Sequence, residues 1–284
     1  MPSLKQVKKR IASVKNTQQI TKAMYMVSAA KLRRAEENIK QALPYSEKIK
    51  KVIASMYYRI RDNEHPLLAV REPVKNVLIV AISSDRGLCG SFNANILRNL
   101  NRFIDENNYN FKAIGIGRKV AEFFKKKGLE QIKSYEGVLY LNYQQMAEAS
   151  EIACKLYENA EIDAIYLCYN HFVSAISQKL QIDKILPRDF SEFEEDFVVE
   201  YEYEPSKEAL LDAIIPKYVA NEFYTALLDS IASEHAARMT AMDNATKNAS
   251  EMIDKLTLLF NKVRQATITK ELMEIVGGKE ALES

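Results

Sequence analysis

The fold is decided by residues 228–266, which read LDSIASEHAARMTAMDNATKNASEMIDKLTLLFNKVRQA. Alternate steps of three and four residues meet twelve positions, ten of them apolar: Leu228, Ile231, His235, Arg238, Met242, Ala245, Ala249, Met252, Leu256, Leu259, Val263 and Ala266. A rhythm that lasts more than five heptads is typical of a coiled-coil seam. Neither glycine nor proline occurs between Pro216 and Gly277. The stretch therefore predicts one uninterrupted helix, about 90 Å long for about sixty residues.

The partner of this helix is predicted at the other end of the chain. The segment from Ser3 to Leu43 also lacks glycine and proline, and it begins with the same rhythm in Leu4, Val7, Ile11 and Val14. The strict continuation meets the polar Gln18 and Thr21, while the apolar Ile20, Met24 and Val27 each come one residue earlier. We therefore expect a local shift of register in the seam. Pro44 predicts a kink or a break in this helix.

The middle of the chain alternates strand and helix patterns. Strands are expected at about 76–83, 111–116, 131–135, 163–169 and 178–186, with helices at about 93–106, 118–127 and 143–158. This alternation is typical of a small doubly wound domain. The predicted fold class is α/β with long helices, in which the two terminal helices form an antiparallel coiled coil. Along the chain we expect an N-terminal coiled-coil helix (1–60), a central α/β domain (75–190), an acidic connector (191–207) and a C-terminal coiled-coil helix (208–284).

The net charge of +2 conceals a strong asymmetry. Residues 1–60 hold fourteen Lys and Arg against three Glu, a balance of +11, and residues 191–212 hold nine acids against one Lys, a balance of −8. A basic helix can bind nucleic acid, a membrane surface or an acidic protein face. Nucleic acid is the less favoured of these, because few aromatic residues are interleaved with the cations and no recognition motif accompanies them. The acidic segment fits either a solvated loop or a contact.

The sequence gives little support to catalysis or to a cofactor. Gly115-Ile-Gly117 has only the first two glycines of a dinucleotide fingerprint, with Val120 at the third position, and no GxxxxGK[ST] loop occurs. The cysteines Cys89, Cys154 and Cys168 form no CxxC pair and no metal-ligand spacing, so free thiols are expected. The histidines stand apart in the sequence, and His235 falls on the predicted seam. We expect no catalytic residue, no cofactor and no metal.

Five segments resemble one family closely. They are residues 11–24 (IASVKNTQQITKAM), 26–31 (MVSAAK), 84–90 (SDRGLCG), 233–242 (SEHAARMTAM) and 261–272 (NKVRQATITKEL). All are similar to the γ subunits of F-type ATP synthases, and the resemblance runs in order from about Leu4 to Gly278. It implies an antiparallel coiled coil of the two ends with a Rossmann-like domain between them. It also implies a rotor shaft that couples rotation of a membrane c-ring, driven by protons, to successive conformational changes in the catalytic β subunits, without being an enzyme itself.

The resemblance also implies which residues meet which partners. Arg264 and Gln265 match positions that hydrogen-bond a loop of β, within the ring of α and β subunits. Lys22 and Met24 match the zone that faces an acidic lever loop of β, and Arg238 matches a position implicated in coupling. At the foot, residues 201–205 match the segment that touches the ε subunit and the c-ring, which assigns Tyr201, Tyr203 and Glu204 to those partners. Asp85 and Arg86 match a motif near the base of the coil, with a mainly structural role.

Departures from the family pattern are few. Tyr25 stands where many relatives have a charged residue, and no dithiol insertion interrupts the central domain. Because the resemblance begins almost at Met1, it points to a bacterial enzyme and to a peripheral position on the cytoplasmic face of the membrane. It implies no nucleic acid partner and no direct small-molecule substrate. Two other classes remain as alternatives: a coiled-coil adaptor that binds an acidic partner or nucleic acid through its basic helix, and a nucleotide-binding enzyme.

Overall fold

Two long helices, α1 (Leu4–Tyr57) and α5 (Lys207–Glu283), flank a five-stranded sheet along the chain. A computed structural model describes residues 3–57, 65–188, 204 and 206–283. Between the long helices come β1 (Asn76–Ile82), α2 (Phe92–Glu106), β2 (Asn110–Ile116), α3 (Arg118–Lys127), β3 (Glu130–Tyr135), α4 (Tyr143–Glu158), β4 (Ala164–Phe172) and β5 (Gln178–Leu186). The expected strands and helices are all present, with ends that differ by a few residues at most.

The sheet has the order β3-β2-β1-β4-β5 and is parallel except for β5, which pairs antiparallel with β4. Strand β1 is buried along nearly its whole length, as expected for a central parallel strand covered on both faces. Its alternate residues enter two different cores. Val77, Ile79 and Ala81 pack with α2 and α3, while Leu78, Val80 and Ile82 pack with α1, α4 and α5. The doubly wound domain predicted from the sequence is confirmed, and we call the sheet with α2, α3 and α4 the foot.

The described chain forms two compact units. One, the coil unit, consists of residues 1–28 and 239–284, and the other, the base unit, consists of residues 29–238 and contains the foot. These two units do not correspond to the four predicted segments, because each long helix is divided between the coil unit and the base unit. The predicted segment boundaries therefore stay a prediction. The helices are antiparallel, as expected. In the base unit Lys50 of α1 pairs with Glu222 of α5 at 2.8 Å, and in the coil unit Thr21 pairs with Thr246.

The expected shift of register in α1 is wrong for two of its three residues. In the coil unit Val7, Thr21 and Ser28 are buried, whereas Ile20 and Val27 are exposed. Met24 is the exception, since it is half-buried while Tyr25 at the strict heptad position is exposed. Elsewhere the strict heptad continues through polar residues. The reason lies across the seam: the Thr246 hydroxyl donates to Thr21 Oγ1 at 2.8 Å, and the Thr21 hydroxyl lies 3.1 Å from the carbonyl oxygen of Gln18. A polar side chain can occupy a buried position when its hydrogen bonds are satisfied.

A break of α1 at Pro44 is also wrong, because α1 is one helix through that position. Proline removes one backbone donor, which leaves the carbonyl of Lys40 without its usual partner. Both Pro44 and Lys40 are exposed, so water can satisfy that carbonyl. On either side the helix is held by buried residues, with Leu32 and Ala35 before the proline and Ile49 and Ile53 after it. Packing at these positions outweighs the local cost.

Candidate partner-binding surfaces

Arg264 and Gln265 lie in the coil unit, on α5, and both are exposed. Among the residues that the structure describes, neither side chain takes part in a hydrogen bond or ion pair. Only one column of the predicted seam is buried here, namely Met242, Ala249, Leu256 and Val263. The other column, with Met252 and Leu259, is exposed. Further along α5 exposed apolar residues continue in Ile268, Leu272, Met273, Ile275 and Val276. Contiguous apolar surface beside unpaired polar groups is typical of a protein contact.

Lys22 and Met24 also belong to the coil unit, and they differ in exposure. Lys22 is exposed, while Met24 is half-buried. Lys22 lines a groove of about 390 Å³ together with Gln18, Gln19, Tyr25, Asp243 and Thr246. In this groove Asp243 is already neutralised by Lys247, whose Nζ lies 2.6 Å from Asp243 Oδ2. The unpaired charge that the groove presents is therefore the cation of Lys22.

Asp85 and Arg86 follow β1 in the loop 84–90 of the base unit, and the structure separates their roles. The carboxylate of Asp85 accepts the backbone N–H of Arg118 at 3.1 Å and that of Val138 at 2.8 Å. Asp85 thus occupies the N-terminus of α3, a position that favours a negative charge. A Cβ on Gly117 would collide with the carbonyl oxygen of Ser83. Arg86 is exposed, so its side chain is available to a partner, whereas the carboxylate of Asp85 is already bonded within the base unit.

Arg238 is the seam cation, and its guanidinium is used inside the base unit. Its Nη1 lies 2.7 Å from Glu234 Oε1, and its Nη2 donates to the carbonyl oxygen of Gly87 at 3.2 Å. The two side chains are only 12% and 5% exposed. Burial raises the pKa of Glu234, and the charge of Arg238 opposes that shift. Arg238 therefore connects α5 to the loop 84–90.

His235 is buried next to this pair. Burial, together with the positive charges of Arg238 and Lys31, lowers the pKa of His235 to about 4. The imidazole is therefore neutral at physiological pH. His235, which falls on the predicted seam, is therefore a packed residue of the base unit.

The predicted residues of the acidic connector are mostly outside the described part of the chain. Tyr201 and Tyr203 lie outside the described residues, and Glu204 is described and exposed. Glu204 alone neither supports nor opposes a contact with ε or the c-ring.

The remaining observations concern the cysteines, potential metal ligands and the helices of the described residues. Cys89, Cys154 and Cys168 are free and buried. Desolvation raises the pKa of Cys154 and that of Cys168 to about 12, so neither is an activated nucleophile. The described ranges contain no cluster of three or more potential metal ligands. Within the same ranges no helix has an apolar stretch long enough to cross a bilayer.

Sequence reasoning missed one group of residues at the end of β4. Asp229, Ser230 and Ser233 of α5 are buried and bond to residues 170–172. The sequence offered one signal for this group: three polar residues, one and then three positions apart, lie in a helical segment whose other nearby residues are mostly apolar. Which backbone they meet depends on the sheet and cannot be inferred from the helix.

Comparison with known proteins decides the family. A family model described as ATP synthase matches residues 3–282. The chain is 47% identical over 285 residues to the ATP synthase gamma chain of Pelotomaculum thermopropionicum, with all of both chains covered. The chain belongs to the ATP synthase gamma family. The gamma chain of Geobacter metallireducens is 49% identical over 288 residues, covering 99% of each chain.

Solved structures agree with this assignment of the gamma chain. A chain from the central stalk and c-ring of the Tetrahymena thermophila mitochondrial ATP synthase superposes with a TM-score of 0.63 and 28% identity, covering 80% of this chain and 99% of the other. A chain from the Euglena gracilis mitochondrial ATP synthase gives a TM-score of 0.72 at 23% identity, covering 98% and 94%, and shows the same fold. The recognised family, the fold class and the rotor function are confirmed. This gamma chain is a non-catalytic subunit of a rotary ATP synthase and part of its central stalk.

Proposed function

We propose that the coil unit of this gamma chain turns inside a ring of α and β subunits, and that Arg264 and Gln265 hydrogen-bond a loop of β there. The exposed, unpaired side chains of these two residues carry the proposal, because they lie beside apolar surface that α1 does not cover. The planar guanidinium of arginine can bind a carboxylate through two parallel hydrogen bonds. Each orientation of the coil then stabilises one conformation of the neighbouring β subunit through different contacts.

Lys22 and the basic face of α1 have a different role in this proposal. The cations of the coil unit's α1 segment are all exposed: Lys5, Lys8, Lys9, Arg10, Lys15 and Lys22. Attraction between exposed charges falls slowly with distance and fixes no geometry. Such a surface suits a sliding contact with an acidic loop of β, with Met24 supplying apolar contact beside it. Arg238 acts within this mechanism by connecting α5 to the loop 84–90, from which Arg86 projects.

The other end of the rotor is assigned by the family resemblance. The ε subunit and the c-ring are proposed to bind around Tyr201, Tyr203 and Glu204, at the cytoplasmic face of a bacterial membrane, where the protein is peripheral. The complex, and not this chain, binds and converts ATP. The structural neighbours come from rotor assemblies of ATP synthases, which supports this set of partners in general. Nothing in the comparisons supports a nucleic-acid adaptor.

Co-expression with the α and β subunits of the same enzyme tests the proposal. We expect a complex with one gamma chain per ring, and slower ATP hydrolysis when Arg264 and Gln265 are both replaced by alanine. The matched controls are Lys126→Ala and Gln144→Ala, which remove an exposed cation and an exposed amide from the foot. If the control pair slows hydrolysis as much as the Arg264→Ala and Gln265→Ala pair, these two residues do not form the contact. If well-folded α and β subunits do not assemble with this chain, the shaft function is refuted.

A further inference from the structure

The carboxyl end of β4 extends beyond its inner neighbour. Strand β1 pairs with β4 only as far as Cys168, whereas β5 pairs with β4 as far as Phe172. Residues 170–172 therefore have one edge without a neighbouring strand. An unpaired edge leaves backbone donors and acceptors to be satisfied by other groups.

Two serines of α5 satisfy this edge at Asn170. The backbone N–H of Asn170 donates to Ser230 Oγ at 3.3 Å, and the Ser233 hydroxyl donates to the carbonyl oxygen of Asn170 at 3.0 Å. Both serines are buried, with relative exposures of 2% and 0%. The helix thus takes the place of β1 beside this residue of β4.

A charged contact follows at the next residue of β4. His171 Nδ1 lies 2.6 Å from Asp229 Oδ2, and the Asp229 side chain is only 8% exposed. The backbone N–H of Phe172 also bonds to Asp229. Three consecutive residues of β4 are therefore bonded to one face of α5, where Asp229, Ser230 and Ser233 lie within little more than one helical turn.

These bonds constrain α5 in a way that apolar packing does not. Hydrophobic contact is non-directional, so a helix held only by apolar side chains can slide or rotate slightly at small cost. A hydrogen bond weakens steeply when its distance or angle changes. Serine has a short side chain, so a slide of α5 by one residue, roughly 1.5 Å, would break both bonds to Asn170.

We infer that Asp229, Ser230 and Ser233 form a torque-bearing joint with residues 170–172, fixing the rotational position of α5 on the foot. The residues position the rotor's parts and contact no substrate. The inference rests on the proposed function, because a joint of this kind matters only if rotation passes between the foot and the coil unit. All of these residues belong to the base unit, and α5 continues from it as one helix into the coil unit.

The test uses the complete ATP synthase in membrane vesicles, with Ser230→Ala and Ser233→Ala singly and together. Ser250→Ala is the matched control, since Ser250 is an exposed serine of α5. Each lost hydrogen bond should raise hydrogen exchange in a peptide covering residues 169–172 about five-fold. ATP hydrolysis should stay unchanged, because the coil unit is intact. The protons taken up per ATP hydrolysed should fall by about two-fold or more in the double variant, with no change in the control.

Angular fluctuation gives a second, mechanical readout. With the catalytic ring held still, a probe fixed to the foot should fluctuate over a wider angle in the double variant than in the unmodified enzyme. Asp229→Asn keeps the shape of the side chain but loses its charge, and it should give an intermediate result if the double variant does not assemble.

Two results distinguish the joint from the proposed function. Faster exchange at residues 169–172 with unchanged proton uptake per ATP and unchanged fluctuation would overturn the joint alone. Absence of ATP-driven proton uptake with the unmodified chain, in an enzyme that hydrolyses ATP, would overturn the proposed function. A parallel fall of hydrolysis and uptake in all serine variants would indicate a structural role only, and would also overturn the joint.

Discussion

Replacing Arg238 by methionine is the perturbation with the clearest expected cost. Methionine keeps an unbranched apolar stem and removes the guanidinium, which leaves Glu234 without its cation and the carbonyl of Gly87 without its donor. Glu234 is 5% exposed, so its carboxylate cannot regain water without local opening. Gly87 is exposed, so its carbonyl can, and the cost comes almost entirely from Glu234.

The magnitude follows from the burial of this pair. Removing one partner of a buried ion pair costs about 3–5 kcal/mol, because an uncompensated charge remains. Glu234→Gln removes that charge, keeps an oxygen acceptor, and should cost about 1–3 kcal/mol. The double variant has no buried charge left, so its loss should be about 3 kcal/mol smaller than the sum of the two single losses. That difference is the coupling between the two residues.

The loss in Arg238→Met should also depend on pH. Burial raises the pKa of Glu234, and Arg238 opposes that shift, so removing Arg238 raises the pKa further. When the pKa of a carboxyl group is higher in the folded than in the unfolded state, the free energy of unfolding falls as the pH rises from the unfolded-state pKa to the folded-state pKa. The variant should therefore lose stability as the pH rises above the ordinary carboxyl pKa of 4.5, and the double variant should not show this loss.

Hydrogen exchange of residues 231–241 in the assembled complex measures the free energy of local opening at each pH, after correction for intrinsic exchange rates. The control is Lys247→Met with Asp243→Asn, an ion pair with the same i,i+4 spacing whose side chains are 70% and 42% exposed. Its removal should change local opening little, because exposed pairs contribute little. If the double variant shows the full sum of the single losses, the ion pair contributes nothing and the reasoning is refuted.

Three further predictions concern other polar groups. His235→Leu should remove a loss of stability in acid. In the unmodified protein the buried imidazole has a pKa of about 4 against about 6.5 in the unfolded chain, so the stability of the base unit should fall by about 2 kcal/mol between pH 7 and pH 5. Hydrogen exchange in α5 should show this fall in the unmodified protein and not in the variant. Thr21→Val should destabilise the coil unit by about 1 kcal/mol through loss of the hydrogen bond across the seam, and not by more, because the Thr246 hydroxyl keeps the carbonyl oxygen of Met242 as an acceptor at 2.7 Å. Exchange in α1 measures this loss, and an unchanged exchange rate would contradict the contribution of the bond. Asp85→Ala should leave two backbone N–H groups without their acceptor and cost about 1–3 kcal/mol, seen as faster exchange at the start of α3, while Asp85→Asn should cost less.

Local signals were sufficient for the foot and for the length of the helices. The strand at β1 and the helix at α3 are each recognisable from a few neighbouring residues, and the alternation of such segments fixes the doubly wound order. The register of α1 was not predictable in the same way. Thr21 is acceptable in the seam because Thr246, 225 residues away, meets its hydroxyl, and nothing near Thr21 indicates this.

The candidate partner-binding residues also differ in how far the sequence could predict them. Arg264 and Gln265 were found by family resemblance and are exposed as a partner contact requires. Arg238 was placed on the seam by its spacing, but its partner, the carbonyl of Gly87, is 151 residues away and belongs to a loop whose position depends on the whole sheet. Ser230 and Ser233 escaped notice for a related reason, because they bond to the backbone of Asn170, and a sequence does not show which backbone a side chain meets. The side-chain partner of Asp229, His171, is 58 residues away.

The carboxylate of Asp85 at the start of α3 has a consequence for how the enzyme behaves in a cell. A helix N-terminus binds phosphate in many nucleotide-binding proteins. Here the chain provides the anion itself, with two backbone N–H groups bound to it. The order of the loop 84–90 therefore does not depend on how much ATP is present. The N-terminus of α3 therefore keeps its anion at low and at high cellular ATP concentration.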